Sequence, residues 1–524
     1  MRSPSARLRQ LALLVALLLA QFALRTHHVT AVDPYIDEGY HIARAAVVWD
    51  FETHPGRFSA GKLLLYFWLG LFEADAPISL VTARLSIALF SLLNGALIYL
   101  LGRLLSGHRA GLLALALYAI LPFAAFYDRL ALADPFAAVF AGLVVWRSLV
   151  FARRPSIRQG ALLGALLALA LMAKLSMALM VLFPVAAALL LHPWPGGSPR
   201  AQIAGWSRAY LPPLAVAATV GLLLWLPLLV PAYAARHSDA PFRLLDAHNI
   251  RADESASAVE PKEFTTGRYL WEVLPLIDDF TTAGLLILVA VGFGFWLGAA
   301  PFDPARFRRG LLVALWLLLI AGPPLTLATF LTTRYFVPAA APATLALAHL
   351  LAGLWGRSLA RRIAAGVAIA AVAAWAITFA APFLRAMTDD PARLDLTGGN
   401  WIEFLSGYIS GDDATRAAAH ALDTLAPPAG HVYATDRICH LMALYAETRL
   451  TCLAGNTGAR PDMARRFEAE LEPCGFVYVV LRGYTSAVRD ISGTAWEQLA
   501  AFESPIIDRP VTIWRVTWAD RCPG

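Results

Sequence analysis

Lysine is nearly missing from this chain of 524 residues: Lys and Arg together number 43, and only Lys62, Lys174 and Lys262 are lysine. Charge of both signs is sparse. Asp, Glu, Lys and Arg make up 15% of the chain, against about 25% in soluble proteins, which excludes an ordinary water-soluble globule. Cysteine does not occur before Cys439. No CxxC pair occurs, which argues against a thiolate zinc site. There is no glycine fingerprint for nucleotide phosphates, so a soluble nucleotide-sugar or ATP site is not expected. No internal repeat is evident, which weakens the reading of a transporter built from related halves.

What fills the chain is apolar sequence. It is 58% hydrophobic, with a mean hydropathy of +0.59. Runs long enough to cross a hydrocarbon core of roughly 30 Å fall at 10–26, 81–102, 109–126, 134–152, 159–174, 176–192, 210–233, 282–299, 310–330, 335–355 and 363–383. The fold class expected is an α-helical polytopic membrane protein of about eleven spans with a small C-terminal α/β domain. The 159–192 stretch reads either as two short helices broken near Lys174 or as one long tilted helix. An odd number of spans puts the two ends of the chain on opposite sides. The arginines then fall on one side, the cytoplasm: Arg2, Arg7 and Arg9, then Arg103 and Arg109, Arg153 and Arg154, Arg306 to Arg309, and Arg361 with Arg362. The first run reads as an uncleaved signal anchor, because no small-residue cleavage site follows it. The expected location is the bacterial inner membrane, with the N-terminus cytoplasmic and the C-terminal domain periplasmic. The net charge of +6 then answers to anionic lipid headgroups and calls for no nucleic acid.

Residues 1–384 are expected to form the transmembrane catalytic part, with outer loops at 27–80 and 235–281. The stretches HIARAAVVWDF and KLLLYFWLGLF in the first loop read as helices lying in the membrane interface. Residues 385–524 read as the extracytoplasmic domain. HVYAT, FVYVVL and VTIWRVTW read as strands, and a helix follows Asp412 or Asp413 as its cap. All four cysteines, Cys439, Cys452, Cys474 and Cys522, lie here, as disulfides in an oxidising compartment would. Three pairings are possible, and Cys439–Cys452 with Cys474–Cys522 is preferred. His440 reads as structural.

Polar groups collect on the outer side of this topology. Asp37 and Glu38 follow the first span at once, and a carboxylate pair there fits acid/base chemistry on a polar substrate beside lipid. Lys174 is an ionisable group inside an apolar run, and a lysine kept in an arginine-biased chain points to a phosphate partner. Lys62, Arg84, Arg129, Asp134, Arg334 and Tyr335 map to the same side. Cations there would hold a lipid-linked phosphate while a carboxylate removes a proton from an attacking hydroxyl or amine.

In order along the chain these residues resemble the GT-C superfamily of membrane glycosyltransferases, in particular the protein O-mannosyltransferases and the lipid A aminoarabinose transferases. The elements are Asp37-Glu38 with Tyr40, Lys62 in GKLLLYFW, Arg129-x-x-x-x-Asp134, Lys174 closing GALLALALMAK, and RYFVP at 334–338. Relatives usually have Lys-Pro-Pro where this chain has Lys62-Leu63-Leu64. The resemblance implies transfer of a sugar from a polyprenyl-phosphate donor to an envelope lipid, glycan or protein by inverting displacement. Asp37 and Glu38 would be catalytic, and Tyr40, Lys62, Arg84, Arg129, Asp134, Lys174, Arg334 and Tyr335 would bind the donor. It implies no cofactor. If a divalent ion took part, Asp37, Glu38 and Asp134 would be the set to hold it. A transporter and a lipid-linked glycan ligase or oligosaccharyltransferase are the alternatives.

Overall fold

Apolar runs turn into helices because a backbone in lipid can satisfy its own hydrogen bonds only that way. The computed structural model describes residues 4–49, 61–72, 79–194, 198–235, 266–327, 331–354, 358–407, 410–425, 432–453, 475–483, 493–504 and 510–518. The chain divides into two compact units. One comprises Met1–Val29, Arg44–Ala74 and Thr82–Asp395; the other comprises Thr30–Ala43, Asp75–Val81 and Leu396–Gly524.

The first unit is helical. Its elements are α1 (Pro4–Thr26), then α3 (Leu63–Gly70), α4 (Leu80–Ser106), α5 (His108–Ile120), α6 (Pro122–Tyr127), α7 (Ala133–Arg153), α8 (Ile157–Ala173) and α9 (Phe183–Leu191). They continue with α10 (Pro199–Ala235), α11 (Thr266–Thr281), α12 (Ala283–Leu297), α13 (Pro304–Leu327), α14 (Ala340–Leu354), α15 (Leu359–Trp375) and α16 (Ala381–Asp389). The helix α2 (Ile36–Ala45) follows α1 in sequence and belongs largely to the second unit. Among the described residues, 7 helices are long and apolar enough to cross a membrane, and α11 with α12, bent by 100°, would make an eighth. Three shorter apolar helices, His108–Ile120, Ile157–Ala173 and Leu175–Leu191, cover the remaining expected runs. The chain is a multi-pass membrane protein.

The breaks have local causes. Pro122 follows Leu121, and a residue before proline is pushed out of the helical region, so the run at 109–126 is split into α5 and α6. Lys174 is extended, with φ −163°, and separates α8 from a 3₁₀ turn, Leu175–Leu182, that leads into α9. Close packing also has local causes. A Cβ on Gly164 of α8 would lie 2.2 Å from the Ala217 carbonyl of α10, and one on Gly160 would lie 2.1 Å from that of Pro213. Glycines four apart let two helix backbones touch, as in membrane helix pairs. Burial ranks the spans. The α7 span is 78% buried while Leu359–Asp389 is 17% buried, so α7 is central and α15–α16 presents residues such as Val367 outward. In α3, Leu63, Leu65, Tyr66 and Leu69 are buried, so one face of this stretch packs into its unit.

A polar network sits inside this apolar body. Arg25, fully buried, pairs with Asp128 at 3.0 Å and donates to the carbonyls of Ala119 and Tyr118. The Tyr118 hydroxyl donates to the same carboxylate at 2.8 Å and accepts from Asn94. Every member has a partner, which a buried charge requires.

The second unit is built on a five-stranded sheet of order β2-β1-β3-β5-β4. The strands are β1 (Val432–Thr435), β2 (Thr451–Leu453), β3 (Phe476–Arg482), β4 (Thr494–Phe502) and β5 (Val511–Trp518). β1 runs parallel to β2 and β3, while β5 is antiparallel to β3 and β4, with Val479 opposite Trp514. Its helices are α17 (Gly398–Phe404), α18 (Asp413–Leu425) and α19 (Asp436–Met442). Ala414, Ala418 and Leu422 on one face of α18 share a core with Val432, Val480 and Ile513. Asp412 caps α18 by accepting the Thr415 N–H at 2.8 Å, and its other oxygen pairs with Arg482. The division between units does not fall at residue 385: α16 runs through to Asp389, and Thr30–Ala43 groups with the C-terminal residues.

Cys439 on α19 and Cys452 on β2 form a disulfide with Cα atoms 5.4 Å apart. Cys474 and Cys522 lie outside the described residues. Closing a loop of this size stabilises by about 3 kcal/mol in the chain-entropy account. Denatured but unreduced protein treated with a maleimide is expected to leave Cys439 and Cys452 unlabelled until a reductant is added. Full labelling of all four cysteines before reduction would contradict the bond.

Candidate active site

The acidic pair sits at the start of α2, in the second unit. Glu38 occupies the third position of that helix. It is fully buried, and its Oε2 accepts the N–H of Tyr35, the residue before the helix, at 2.9 Å. This is the reach-back half of a capping box, so Glu38 holds the shape of its own turn. Asp37 is only partly buried. Both lie in the first turn, where the helix dipole favours negative charge.

The turn is anchored on its own unit. The Pro34 carbonyl accepts the Gly411 N–H at 2.7 Å, Tyr35 bridges to Ser410, and Asp33 pairs with Arg416 at 3.0 Å. Tyr40 lies against the ring of His440, centroids 4.2 Å apart. Gly39 is required by this approach, since a Cβ there would lie 2.3 Å from the His440 carbonyl oxygen. The neighbouring Cys439 is the one held by the disulfide. His440 is thus a packing surface for the Asp37 turn.

The cations gather in the first unit. Lys174, at the break after α8, pairs with Asp134 in the first turn of α7. Its ammonium sits 4.6 Å from the centre of the Tyr335 ring, and the Arg334 guanidinium lies 5.5 Å from the same ring. Lys62 and Arg334 are near enough to repel Lys174 electrostatically. The backbone explains the gathering. Leu175 donates its N–H to the Gly61 carbonyl at 3.1 Å, which draws the Gly61–Lys62 segment to the break. Gly61 takes φ +70° there and leaves no room for a Cβ beside Leu175. Two cations, an aromatic face and one carboxylate thus meet at this break, with Lys62 drawn toward it.

Arg84 and Arg129 bind backbone carbonyls. Both are fully buried. Arg84 donates to the Val29 carbonyl at 2.9 Å, and Arg129 donates to the carbonyls of His27 and His28. They fix the chain leaving α1. Sequence reasoning did not single out Arg25, His27, His28 or Asp389. Arg25 carried a signal, a charge at the end of an apolar run; its partner Asp128 could be found only in three dimensions. As for a divalent ion, Asp134 is engaged by Lys174 and Glu38 by the Tyr35 N–H. Residues 236–265 of the second expected outer loop lie outside the described residues.

Residues 65–241 match the model of the dolichyl-phosphate-mannose-protein mannosyltransferase family. No curated protein matches the chain in sequence. Among solved structures, the chain is similar to ArnT from Cupriavidus metallidurans in the apo state, with 15% identity, 99% of this chain and 100% of that one covered, and a TM-score of 0.63. The same protein bound to undecaprenyl phosphate gives 16% identity, 98% and 99% coverage and a TM-score of 0.61. The oligosaccharyltransferase AglB from Archaeoglobus fulgidus, in complex with an inhibitory peptide and a dolichol-phosphate, gives 14% identity, coverage of 92% of this chain and 70% of that one, and a TM-score of 0.51. The chain therefore has the fold seen in ArnT and, over residues 65–241, matches the model of the dolichyl-phosphate-mannose-protein mannosyltransferase family.

Proposed function

We propose that this protein transfers a single sugar from a polyprenyl-phosphate donor to an envelope acceptor, lipid, glycan or protein, by inverting displacement. The observation that carries the reading is the cluster of Lys174, Arg334 and Lys62 with Tyr335 at the break of a membrane-embedded segment. A lipid-linked phosphate presents its charge at that kind of depth, with its chain in the apolar phase. The ArnT structure that binds undecaprenyl phosphate shares the fold and supports the donor class.

Asp37 accepts the proton of the acceptor hydroxyl or amine as that atom bonds to the anomeric carbon. The bond from that carbon to the phosphate oxygen breaks, and its electron pair stays on the phosphate, whose charge Lys174, Arg334 and Lys62 stabilise. The configuration at carbon inverts. No metal takes a step in this reading. The protein resides in a bacterial inner membrane with its C-terminal unit outside the cytoplasm, which the disulfide supports because such bonds persist in oxidising compartments.

Oligosaccharyl transfer is the second reading, supported by the AglB likeness. Monosaccharide transfer is favoured because ArnT is matched over its whole length with the higher TM-score. The two separate in proteoliposomes given radiolabelled donors. Polyprenyl-monophosphate sugars are expected to lose label to an acceptor from envelope extract, and nucleotide sugars are not. Transfer only from pyrophosphate-linked oligosaccharides would replace the proposal with the second reading. Consumption of no lipid-linked sugar would remove both.

A further inference from the structure

We propose that His27, His28 and Asp389 form a divalent-cation site of the zinc class that ties the end of the first span to the end of the last. The proposal does not rest on the sugar-transfer reading. His27 and His28 follow α1, and Asp389 ends α16. Within the first unit, one possible ligand atom from each of the three lies within 4.8 Å of the others. The two imidazole rings stack, with centroids 4.0 Å apart and planes at 22°. Two nitrogens and one carboxylate oxygen are the donor set of three-ligand zinc sites, in which water fills the remaining position. Ligand atoms around a tetrahedral zinc stand about 3.3 Å apart, so these exposed side chains need to close by up to about 1.5 Å.

Three further features show that the arrangement is held. His28 takes φ +44°, a left-handed conformation that non-glycine residues adopt at a cost and that concentrates at functional sites. Arg129, fully buried, grips the carbonyls of both histidines. The His28 Nδ1 lies 3.1 Å from the Thr388 carbonyl and 4.0 Å from Asp389 Oδ1, and the Thr388 hydroxyl donates to that same oxygen at 3.0 Å. Hydrogen bonds of this type orient metal ligands. The competing charge is Arg385, 3.5 Å from Asp389 Oδ2. It is a surface pair between residues four apart, which a bound dication can displace.

The test uses the full chain in detergent micelles, purified without a polyhistidine tag and stripped with a chelator. Zn²⁺ is titrated against a chromophoric chelator, and Co²⁺ is followed by its visible absorption. The variants are His28→Asn and Asp389→Asn; asparagine tolerates the left-handed conformation, so the turn is kept. Wild type is expected to take up one more Zn²⁺ than either variant, or to bind it at least about tenfold more tightly. Zn²⁺ should raise the melting temperature of wild type alone. Gel filtration and a melting temperature without added metal that matches wild type report that the variants are folded. Equal stoichiometry and affinity in wild type and both folded variants overturns the site, as does the absence of saturable uptake by wild type.

Discussion

Replacing Asp37 with Asn is expected to slow sugar transfer by about 10²-fold or more, the usual worth of a general base, while the protein reaches the membrane in normal amount. The structure gives Glu38 a task of its own. Glu38 is fully buried and already accepts the Tyr35 N–H, so its loss would unravel the start of α2. Asp37 is partly accessible, and nothing in that capping arrangement requires its charge. The amide keeps the shape of the side chain and removes its negative charge, and with it the capacity to take up a proton. The measurement is the initial rate in proteoliposomes at saturating donor, normalised to folded protein, with Glu38→Gln alongside. The Glu38 variant is expected to lose melting temperature along with rate, and the Asp37 variant rate alone. Wild-type turnover in Asp37→Asn would remove Asp37 from the mechanism.

The second large effect is at Lys174. A Lys174→Gln variant is expected to lose both stability and activity, for different reasons. Asp134 is 3% exposed, and taking away its partner leaves a buried charge uncompensated, at a cost of about 3–5 kcal/mol. A stability loss would therefore say nothing about phosphate binding. The informative variant is Lys174→Met combined with Asp134→Asn, which removes both charges together. Stability is expected to return to near the wild-type value, since replacing a whole buried pair is often neutral. The transfer rate is expected to stay about 10²–10³-fold down, the size of effect seen when one stabilising donor for a developing oxyanion is removed. Arg334→Gln, which leaves the Lys174–Asp134 pair intact, should also slow transfer. A stable double variant with a normal rate would make Lys174 a structural ion and remove the phosphate reading of this cluster.

Residue pattern alone carried the helical membrane architecture, because long apolar runs have one solution in lipid. It also carried three of the five strands. β4 escaped because Thr494–Phe502 includes Glu497, Gln498, Leu499, Ala500 and Ala501, residues with no strand preference. Pairing with β5 along its length makes it a strand. The cysteine placement spoke for disulfides, but sequence left three pairings open, and the packing of α19 beside β2 selects Cys439–Cys452. The candidate site was legible as residue types in order along the chain. Sequence could not divide labour within it, since Asp37 and Glu38 look alike until one is seen bonded to the Tyr35 N–H.

The sequence by itself determined that this chain lives in a membrane, where its helices run, and which scarce charges deserve a role. A charge inside an apolar run has to be satisfied, whatever the fold. Only the tertiary structure decided how each is satisfied. Lys174 sits at a break because the Gly61 carbonyl takes the Leu175 N–H and Asp134 takes the ammonium. Arg84 and Arg129 hold backbone at residues 27–29, and Arg25 finds Asp128. Partners 40 or more than 100 residues away in sequence leave no local trace. Hydrophobicity is a property of each segment, but electrostatic pairing depends on what the fold brings within a few ångströms.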